Sequence, residues 1–360
     1  MLNMLPLTTF DNENLSLDPL HSYLRMYMNA PWSIVHGLSK NLCTFAALIH
    51  QKFMTYHYLA FGIPLISEIE LPALLPLEKE LDMEDPVYVR LGNVPAELST
   101  PGIHADTSAF CNASEMIYTI TEKIRFYIAN GNTIIIEPIA DNYTENLIYF
   151  YSNALAAMLY QRDLVPFHVS GVFTAPGKVV LFAAPSGTGK STLAVKLQEL
   201  GYAPFTDDTA VLFIENGKCY AQASYPMIRL WENTLDKQTL LSTHEKQKIY
   251  DDGDRDKFGF LFHQQFATEP AEVEQIIFLE KAGSEIQVKP IKNIDAFKAL
   301  SDNVYRCYWI PALQKSKLQF TLISQILQIV PNKLVTRPLE EPTFDQFPYI
   351  IKKILQKTID

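Results

Sequence analysis

Residues 179 to 192 read Val-Val-Leu-Phe-Ala-Ala-Pro-Ser-Gly-Thr-Gly-Lys-Ser-Thr, and this stretch decides the fold. Val179 to Phe182 predict a buried strand, Pro185 to Gly189 a glycine turn, and Leu193 to Leu200 a helix. A strand, a glycine turn and a helix in this order form the setting of a phosphate-binding loop. In such a loop, successive backbone N–H groups and the positive end of the helix dipole attract anions.

The residues expected to bind a nucleotide are consecutive: Ser186, Gly187, Thr188, Gly189, Lys190, Ser191 and Thr192. Lys190 would reach the terminal phosphates as a point charge, and the Ser191 hydroxyl would be a Mg²⁺ ligand. Ala184 stands where the GxxxxGK[ST] pattern has its first glycine, and a positive φ would be costly for alanine there. The alternative is a chance glycine-rich turn, which the flanking strand and helix argue against.

The composition is that of a folded protein with a sizeable core. The chain has 360 residues, is 48% hydrophobic and 19% charged, and carries a formal net charge of −10. The acidic balance argues against nucleic acid or an anionic membrane as a partner. The four cysteines lie far apart without a CxxC pair, which argues against a zinc site or a disulfide framework. With no secretory signal and no long apolar run, we expect a cytoplasmic protein.

The predicted elements divide the chain into three parts. Residues 1–52 carry a helical pattern and form an N-terminal extension. Residues 53–146 predict a small antiparallel β domain, with a strand from Tyr58 to Ile69 and a hairpin at Asn130-Gly131. Residues 147–360 contain the phosphate loop within alternating strands and helices. The predicted fold class is therefore α/β, with a β-rich N-terminal domain and a helical extension.

Further elements are predicted around the loop by hydrophobic periodicity and turn residues. They are strands at Val165 to Thr174, Pro204 to Phe213 and Met227 to Trp231, a strand pair at Val273 to Glu280 and Glu285 to Ile291, and helices at Leu147 to Gln161, Asp295 to Leu300, Leu318 to Ile329 and Phe344 to Leu355.

Two adjacent carboxylates, Asp207 and Asp208, follow Lys190 at the start of a predicted strand. Because successive side chains on a strand point to opposite faces, one of the two would face the loop. A carboxylate there can hold Mg²⁺ or accept a proton from an attacking hydroxyl. The alternative is a turn-forming pair that caps Thr209.

Two further side chains are candidates for the same site. His168 lies on the preceding predicted strand, where it would polarise a phosphate oxygen or orient a carboxylate. Its alternative role is that of a core histidine. Arg229 lies within the apolar strand Met227 to Trp231, and an arginine fork suits phosphate oxygens. An ordinary salt bridge is the alternative for Arg229.

These residues resemble those of the bacterial HPr kinase/phosphorylase family and, more closely, its HPr-kinase-like relatives. The resemblance covers about residues 165 to 215, and weaker similarity extends outwards. It is carried by His168-Val169-Ser170-Gly171-Val172, by Ala184 to Thr192, by Gly201-Tyr202 and Asp207-Asp208, and more weakly by Phe61-Gly62-Ile63-Pro64 and Arg229-Leu230-Trp231. The resemblance implies a phosphoenolpyruvate-carboxykinase-like nucleotide fold and Mg²⁺-dependent phosphorylation of a serine hydroxyl.

The resemblance also implies a role for each matching residue. Lys190 and Ser191 match phosphate and metal ligands, Asp208 the general base, Asp207 its metal-linked neighbour, and His168 the active-site histidine. The HPr enzymes themselves carry Glu-Ile-Arg-Gly where this chain has Met227 to Leu230, so one acidic metal ligand is missing. This departure argues against HPr as the acceptor.

We therefore expect a Mg²⁺-dependent kinase that transfers the terminal phosphate of ATP, or of GTP, to a serine-type hydroxyl of a peptide or protein. Kinases of ribosomally made precursor peptides, such as lasso-peptide tailoring kinases, are relatives of this kind. Two alternatives stay open: a kinase of a small molecule such as free serine, and a nucleotide-binding regulator without turnover. The acceptor, the phosphate donor and the oligomeric state, a homo-oligomer included, also stay open.

Overall fold

The computed structural model describes residues 55–78, 84–232, 246–251, 256–339, 343 and 345–356. The predicted helical extension, residues 1–52, lies outside the described residues. The described residues from Thr55 onwards belong to one compact unit of mixed α/β structure. The boundaries predicted at residues 52/53 and 146/147 stay a prediction.

A first sheet is built from strands that all precede residue 139. In chain order they are β1 (Tyr56–Ala60), β2 (Ile63–Ser67), β3 (Leu75–Pro76), β4 (Val87–Leu91), β5 (Ile103–His104), β6 (Ala109–Cys111), β7 (Glu115–Ile120), β8 (Ile124–Ala129) and β9 (Thr133–Pro138). The order across the sheet is β3-β1-β2-β4-β9-β8-β7-β6-β5. Because β4 runs parallel to both β2 and β9, the sheet is mixed and not antiparallel as predicted. The predicted hairpin at Asn130-Gly131 is confirmed between β8 and β9.

The predicted single strand from Tyr58 to Ile69 is a hairpin instead. β1 pairs with β2, and the two residues between them, Phe61 and Gly62, have φ of 53° and 71°. Two successive positive φ values form the tight turn that matches the twist of paired strands. A positive φ is unfavourable for an aromatic residue. Phe61 is held there by its buried ring, which meets Tyr225 edge-on, and by its amide, which donates to the carbonyl of Ser224 at 2.7 Å.

A second sheet contains the phosphate-loop strand, and a third, smaller sheet follows it in the chain. Their strands are β10 (Pro166–Phe167), β11 (Val169–Ala175), β12 (Lys178–Ala183), β13 (Pro204–Thr206), β14 (Ala210–Glu215), β15 (Lys218–Ala223), β16 (Met227–Trp231), β17 (Lys246–Asp251), β18 (Asp256–Leu261), β19 (Ala271–Lys281), β20 (Gln287–Pro290) and β21 (Asn332–Arg337). The second sheet has the order β10-β14-β15-β19-β12-β11-β13, with β21 joined to both β19 and β20. The third has the order β16-β18-β17.

The strand pair predicted at Val273 to Glu280 and Glu285 to Ile291 does not form directly. Both strands exist, as β19 and β20, but each pairs with β21: β19 in parallel and β20 antiparallel. The turn at Ala282-Gly283 is a local signal for a hairpin, whereas β21 comes from a segment about 50 residues later. A parallel partner of that kind leaves no local signal at the turn.

The α-helices of the described residues are α1 (Leu147–Tyr149), α2 (Leu155–Gln161), α3 (Lys190–Glu199), α4 (Asn293–Asp302), α5 (Ser316–Ile329) and α6 (Gln346–Gln356). The helix predicted from Leu147 to Gln161 is interrupted, because Phe150–Ala154 forms a π-helix between α1 and α2. Within it, the Ser152 hydroxyl donates to the carbonyl of Ile148 at 2.6 Å, and such back-bonding distorts helices. None of the described helices has the length and hydropathy needed to cross a membrane.

A shared hydrophobic core joins the first two sheets. Residues Leu155 to Tyr160 of α2 are all buried, and α2 contacts β8 of the first sheet and β10 of the second. A second cluster packs α6 against α3 and β12. Phe347 and Ile351 of α6 belong to the same buried cluster as Leu193 and Leu197 of α3, and fully burying a side chain of this size contributes about 1.5–3 kcal/mol. The C-terminal helix therefore supports the helix that follows the phosphate loop.

Glu115, on β7 of the first sheet, has a buried carboxylate that accepts several hydrogen bonds. Its carboxylate accepts hydrogen bonds from the Ser99 hydroxyl at 2.5 Å, the Ser99 amide at 3.2 Å, the Tyr127 hydroxyl at 2.5 Å and Asn112 Nδ2 at 3.3 Å. Burial alone would raise the pKa of Glu115, but these donors together lower it to about 2. The ionised form of Glu115 therefore stabilises the fold.

We expect Glu115→Gln to lower the free energy of unfolding by about 1–3 kcal/mol near neutral pH, because the amide cannot accept from all of these donors. Since the unfolded pKa is about 4.3, the wild-type advantage is complete above about pH 5 and is lost as the pH falls towards the folded value. Urea unfolding at about pH 7 and about pH 3 measures both effects. The exposed Glu97→Gln is the control, and a wild-type advantage of equal size at both pH values would contradict the assignment.

Candidate active site

The second sheet is interrupted at two neighbouring points. β10 and β11 are separated by His168 alone, and β13 and β14 by residues 207–209. Since β10 pairs with β14 while β11 pairs with β13, both interruptions lie at the same break in the hydrogen-bonding ladder. This register brings His168 beside Asp207 and Asp208.

Asp208 lies at the apex of a tight turn and not at the start of a strand. The Thr209 amide donates to the carbonyl of Asp207 at 2.9 Å, and the Thr206 hydroxyl donates to the carbonyl of Thr209 at 2.7 Å. Asp208 has a φ of 71°, the value of the rare γ-turn with positive φ. Strain of this kind costs on the order of 1–3 kcal/mol and clusters at functional sites. The predicted strand Pro204 to Phe213 is therefore two strands, and the turn separates the carboxylates.

Asp207 is held rigidly in the interior. It is only 3% exposed, and its Oδ1 accepts a hydrogen bond from the Ser170 hydroxyl at 2.6 Å. Its Oδ2 accepts one from the backbone amide of Arg229 at 2.9 Å. One carboxylate therefore ties β11 and the first strand of the third sheet, β16, to the turn.

Asp208 has the more exposed carboxylate of the pair. Its Oδ2 accepts a hydrogen bond from Arg229 Nη1 at 2.8 Å, and its Oδ1 lies 3.8 Å from His168 Nε2. The side chains of Asp208 and His168 are 14% and 25% exposed, so both reach the edge of the site. The structure thus brings together the three side chains predicted for proton transfer and metal binding, Asp207, Asp208 and His168.

Arg229 lies beneath this group with its guanidinium buried. Nη2 donates to the Tyr225 hydroxyl, whereas Nε is buried without a hydrogen-bond partner. Burial alone would lower the pKa of Arg229, but Asp208, the strongest of several anionic or polar neighbours, raises it above the ordinary value. Arg229 is therefore a permanent cation held by Asp208 in this structure. Its predicted contact with a phosphate stays a prediction.

Two tyrosines complete the site and are missing from the sequence prediction. Tyr225 orients Arg229, as described above. The ring of Tyr305 meets His168 edge-on with centroids 5.9 Å apart. Burial, and next the charge of Asp208, raise the pKa of Tyr305 to about 12, so its phenol stays protonated at neutral pH. Tyr225 lies four residues before Arg229, but no sequence signal links Tyr305 to the site, because it follows the end of α4, far along the chain from the loop and the acidic turn.

The phosphate loop has the open turn that the sequence predicts. Gly187 and Gly189 have φ of 78° and 104°, and α3 begins at the next residue, Lys190. Gly187 is exposed, and a Cβ added there would meet nothing within 4 Å. Ala184 is buried and is not among the described residues with positive φ, so this loop does not require a glycine there.

The polar side chains of the loop differ in exposure. Lys190 is buried, and its Nζ donates to the carbonyl of Ala184 at 2.5 Å. Ser186 is exposed, whereas Ser191 and Thr192 are half-buried on the first turn of α3. A further cation, unpredicted from the sequence, lies next to the loop: Arg337 Nη2 donates to the carbonyl of Thr188 at 2.5 Å.

The register of the sheet relates the loop to the acidic turn. β11 lies between the loop strand β12 and β13, with Val169 opposite Ala183 and Gly171 opposite Thr206. Two strand spacings place the start of the loop about 10 Å from the acidic turn. A nucleotide phosphate chain can span a gap of that size, so the loop and the acids can serve one ligand.

A Mg²⁺ ion suits the donors present. No group of three or more His, Cys, Asp and Glu side chains among the described residues could hold a metal ion. Mg²⁺ commonly takes only one or two protein carboxylates and fills its octahedron with phosphates and waters. The Ser191 hydroxyl and the carboxylates of Asp207 and Asp208 are hard oxygen donors of the right kind. The residues therefore fit a metal ion that arrives with a nucleotide.

Known proteins are similar to parts of this chain. No family model matches the chain. The chain is 28% identical over 187 residues to the phosphoenolpyruvate carboxykinase (ATP) of Oceanobacillus iheyensis, which covers 46% of this chain and 32% of that protein. It thus spans about a third of the length of this relative.

A solved structure, the HPr(Ser) kinase/phosphatase of Coxiella burnetii, matches 53% of this chain and 88% of its own at 12% identity, with a TM-score of 0.27. This solved structure is of the kind of protein that the sequence motifs resemble.

We expect Tyr225→Phe to lower the free energy of unfolding by about 1–3 kcal/mol, because it leaves a buried guanidinium N–H without its acceptor. The Tyr225 hydroxyl also lies 3.5 Å from the carbonyl of Tyr151, so a second bond is lost. Denaturant unfolding measures the change. The control is Tyr220→Phe, whose half-buried ring stacks on Phe213, and a similar loss in both variants would contradict the role given to Tyr225.

Proposed function

We propose that this protein is a Mg²⁺-dependent kinase that transfers the terminal phosphate of ATP to a serine-type hydroxyl of a peptide or protein. The observation that supports the proposal most directly is the position of two turns. The open turn from Gly187 to Gly189, with its backbone amides, lies two strand spacings from the strained acidic turn at Asp208. Phosphoryl transfer needs mainly positioning and neutralisation of charge, and these two turns supply the two halves of that requirement.

The loop side of the site binds the donor in this proposal. The amides of Gly187 and Gly189 and the start of α3 face the phosphates, and Lys190 leaves the carbonyl of Ala184 to bind the terminal phosphate. Ser191 and Asp207 are the residues that would hold Mg²⁺, which would supply positive charge against the phosphates. The similarity to a phosphoenolpyruvate carboxykinase named for its use of ATP supports ATP as donor, and GTP is the variant to test beside it.

The acidic side receives the acceptor. Asp208 reaches the edge of the site and accepts the hydroxyl proton, while buried Asp207 fixes the position of the turn. Arg229 keeps Asp208 ionised, because a neighbouring cation favours the carboxylate form. His168, 3.8 Å from Asp208, orients this carboxylate towards the incoming alcohol.

A regulator that binds a nucleotide without turnover is the second candidate. The observation that favours it is the Asp208–Arg229 pair, since a carboxylate held at 2.8 Å by a buried guanidinium is a weak base. The phosphorylated product distinguishes a peptide acceptor from a small hydroxy compound.

The test incubates the chain with Mg²⁺, ATP or GTP, and candidate peptides, proteins or free serine, and follows the mass of each acceptor by mass spectrometry. We expect a gain of one phosphate on a serine-containing peptide or protein, lost when Mg²⁺ is chelated. Lys190→Ala should abolish the gain, because it removes the cation that reaches the terminal phosphate. ATP binding with no phosphorylated product would establish the regulator, and transfer by Lys190→Ala would refute the assignment of the loop.

We expect Asp208→Asn to lower the rate of transfer by about 10²–10⁴-fold, because the amide cannot accept the hydroxyl proton. Nucleotide affinity should stay within a few fold, since the loop side is unchanged. Single-turnover kinetics and nucleotide titration measure the two effects separately. The control is Asp302→Asn, an exposed carboxylate that pairs with Lys298 at the end of α4. Unchanged turnover in Asp208→Asn would remove Asp208 as the base.

A further inference from the structure

Arg337, the last residue of β21, contacts the phosphate loop on the side of the Thr188 carbonyl. Its Nη2 donates to the carbonyl of Thr188 at 2.5 Å, and its Nη1 donates to Thr343 Oγ1 at 3.3 Å. The guanidinium also lies over the ring of Phe347, 5.9 Å from the centroid. These three contacts therefore fix the position of the Arg337 guanidinium.

The contact with Thr188 fixes the orientation of one peptide group. In a planar trans peptide the C=O and the following N–H point in opposite directions. Because the Thr188 carbonyl points at Arg337, the amide of Gly189 points away from it. Gly189 has a φ of 104°, and a Cβ added to it would lie 3.2 Å from Arg337 Nη2. The guanidinium thus occupies the space on the carbonyl side of the Thr188–Gly189 peptide and leaves the amide side open.

We propose that Arg337 is a positioning residue of the nucleotide site, which holds the Thr188–Gly189 peptide so that the Gly189 amide faces the phosphates. This inference rests on the proposed function, because it assigns Arg337 to the same donor site. Arg337 also places a positive charge behind the loop. The ligand class that depends on it is a polyphosphate, bound as a free anion or as part of a nucleotide.

The packing of the C-terminal segment explains why an arginine is suited to this position. β21 is anchored by parallel pairing to β19, and α6 packs on α3. The planar fork of arginine bridges the loop carbonyl on one side and Thr343 on the other, whereas lysine has a single ammonium. Without the guanidinium, the Thr188 carbonyl loses its donor, and the peptide can turn its amide away from the ligand.

The experiment titrates full-length wild type, Arg337→Ala and Arg337→Lys with ATP and with inorganic tripolyphosphate, both in the presence of Mg²⁺. We expect Arg337→Ala to bind both probes about 10- to 100-fold more weakly, since a hydrogen bond from a charged group is lost. Arg337→Lys should recover part of the affinity. The matched control is Lys289→Ala, an exposed cation on the adjacent strand β20, which should bind like wild type.

Added guanidinium ion separates positioning from general loosening of the fold. At millimolar concentration it should restore much of the affinity of Arg337→Ala and none of the affinity of Lys190→Ala. Affinity in Arg337→Ala equal to wild type would overturn the inference, and so would a loss that neither lysine nor guanidinium reverses. If Arg337→Ala does not fold, unchanged affinity in Arg337→Lys overturns the inference and reduced affinity supports it. A wild type that binds neither probe would overturn the proposed function as well.

Discussion

The carboxylate of Asp207 is the constraint on which the site depends. It is buried, and it accepts one hydrogen bond from Ser170 on β11 and another from the backbone of Arg229 on β16. A buried carboxylate is tolerated only when its oxygens are satisfied, so these bonds cannot be exchanged for others without cost. Asp207 therefore decides where the turn sits, and the turn decides where Asp208 points. The strained φ of Asp208 persists because its neighbours on both sides are fixed.

The charges of the site are arranged unevenly. On the acidic side, Arg229 donates to Asp208 through its buried guanidinium and to Asp207 through its backbone amide, so the two carboxylates outnumber the one guanidinium. The loop side carries Lys190 and Arg337, both bonded to loop carbonyls. Opposite charge on two turns about 10 Å apart creates a field directed from the loop to the acids. A polyphosphate would be attracted by the first turn and repelled by the second, which defines its orientation.

Much of this arrangement was accessible from the sequence, but not all of it. The loop, the strand before it and the helix after it depend on local signals, and the structure has them where the motif places them. The position of His168 beside Asp208 depends on the register of four strands, which no local pattern encodes. Arg337 is separated from Thr188 by 149 positions, and its strand was unpredicted because its partners are distant in sequence. Residues that act through such contacts carry no motif of their own.

The long separation between Thr188 and Arg337 has a consequence for synthesis on the ribosome. The loop strand and the acidic turn are synthesised first. The strand that carries Arg337, β21, and the helix that packs on α3, α6, are synthesised roughly 150 residues later. A growing chain can therefore pair β11, β12 and β13 well before translation reaches α6. The phosphate loop nevertheless stays without its hydrogen bond from Arg337 until β21 has left the exit tunnel. An interval of synthesis thus separates the pairing of these strands from the arrival of the Arg337 contact at the loop.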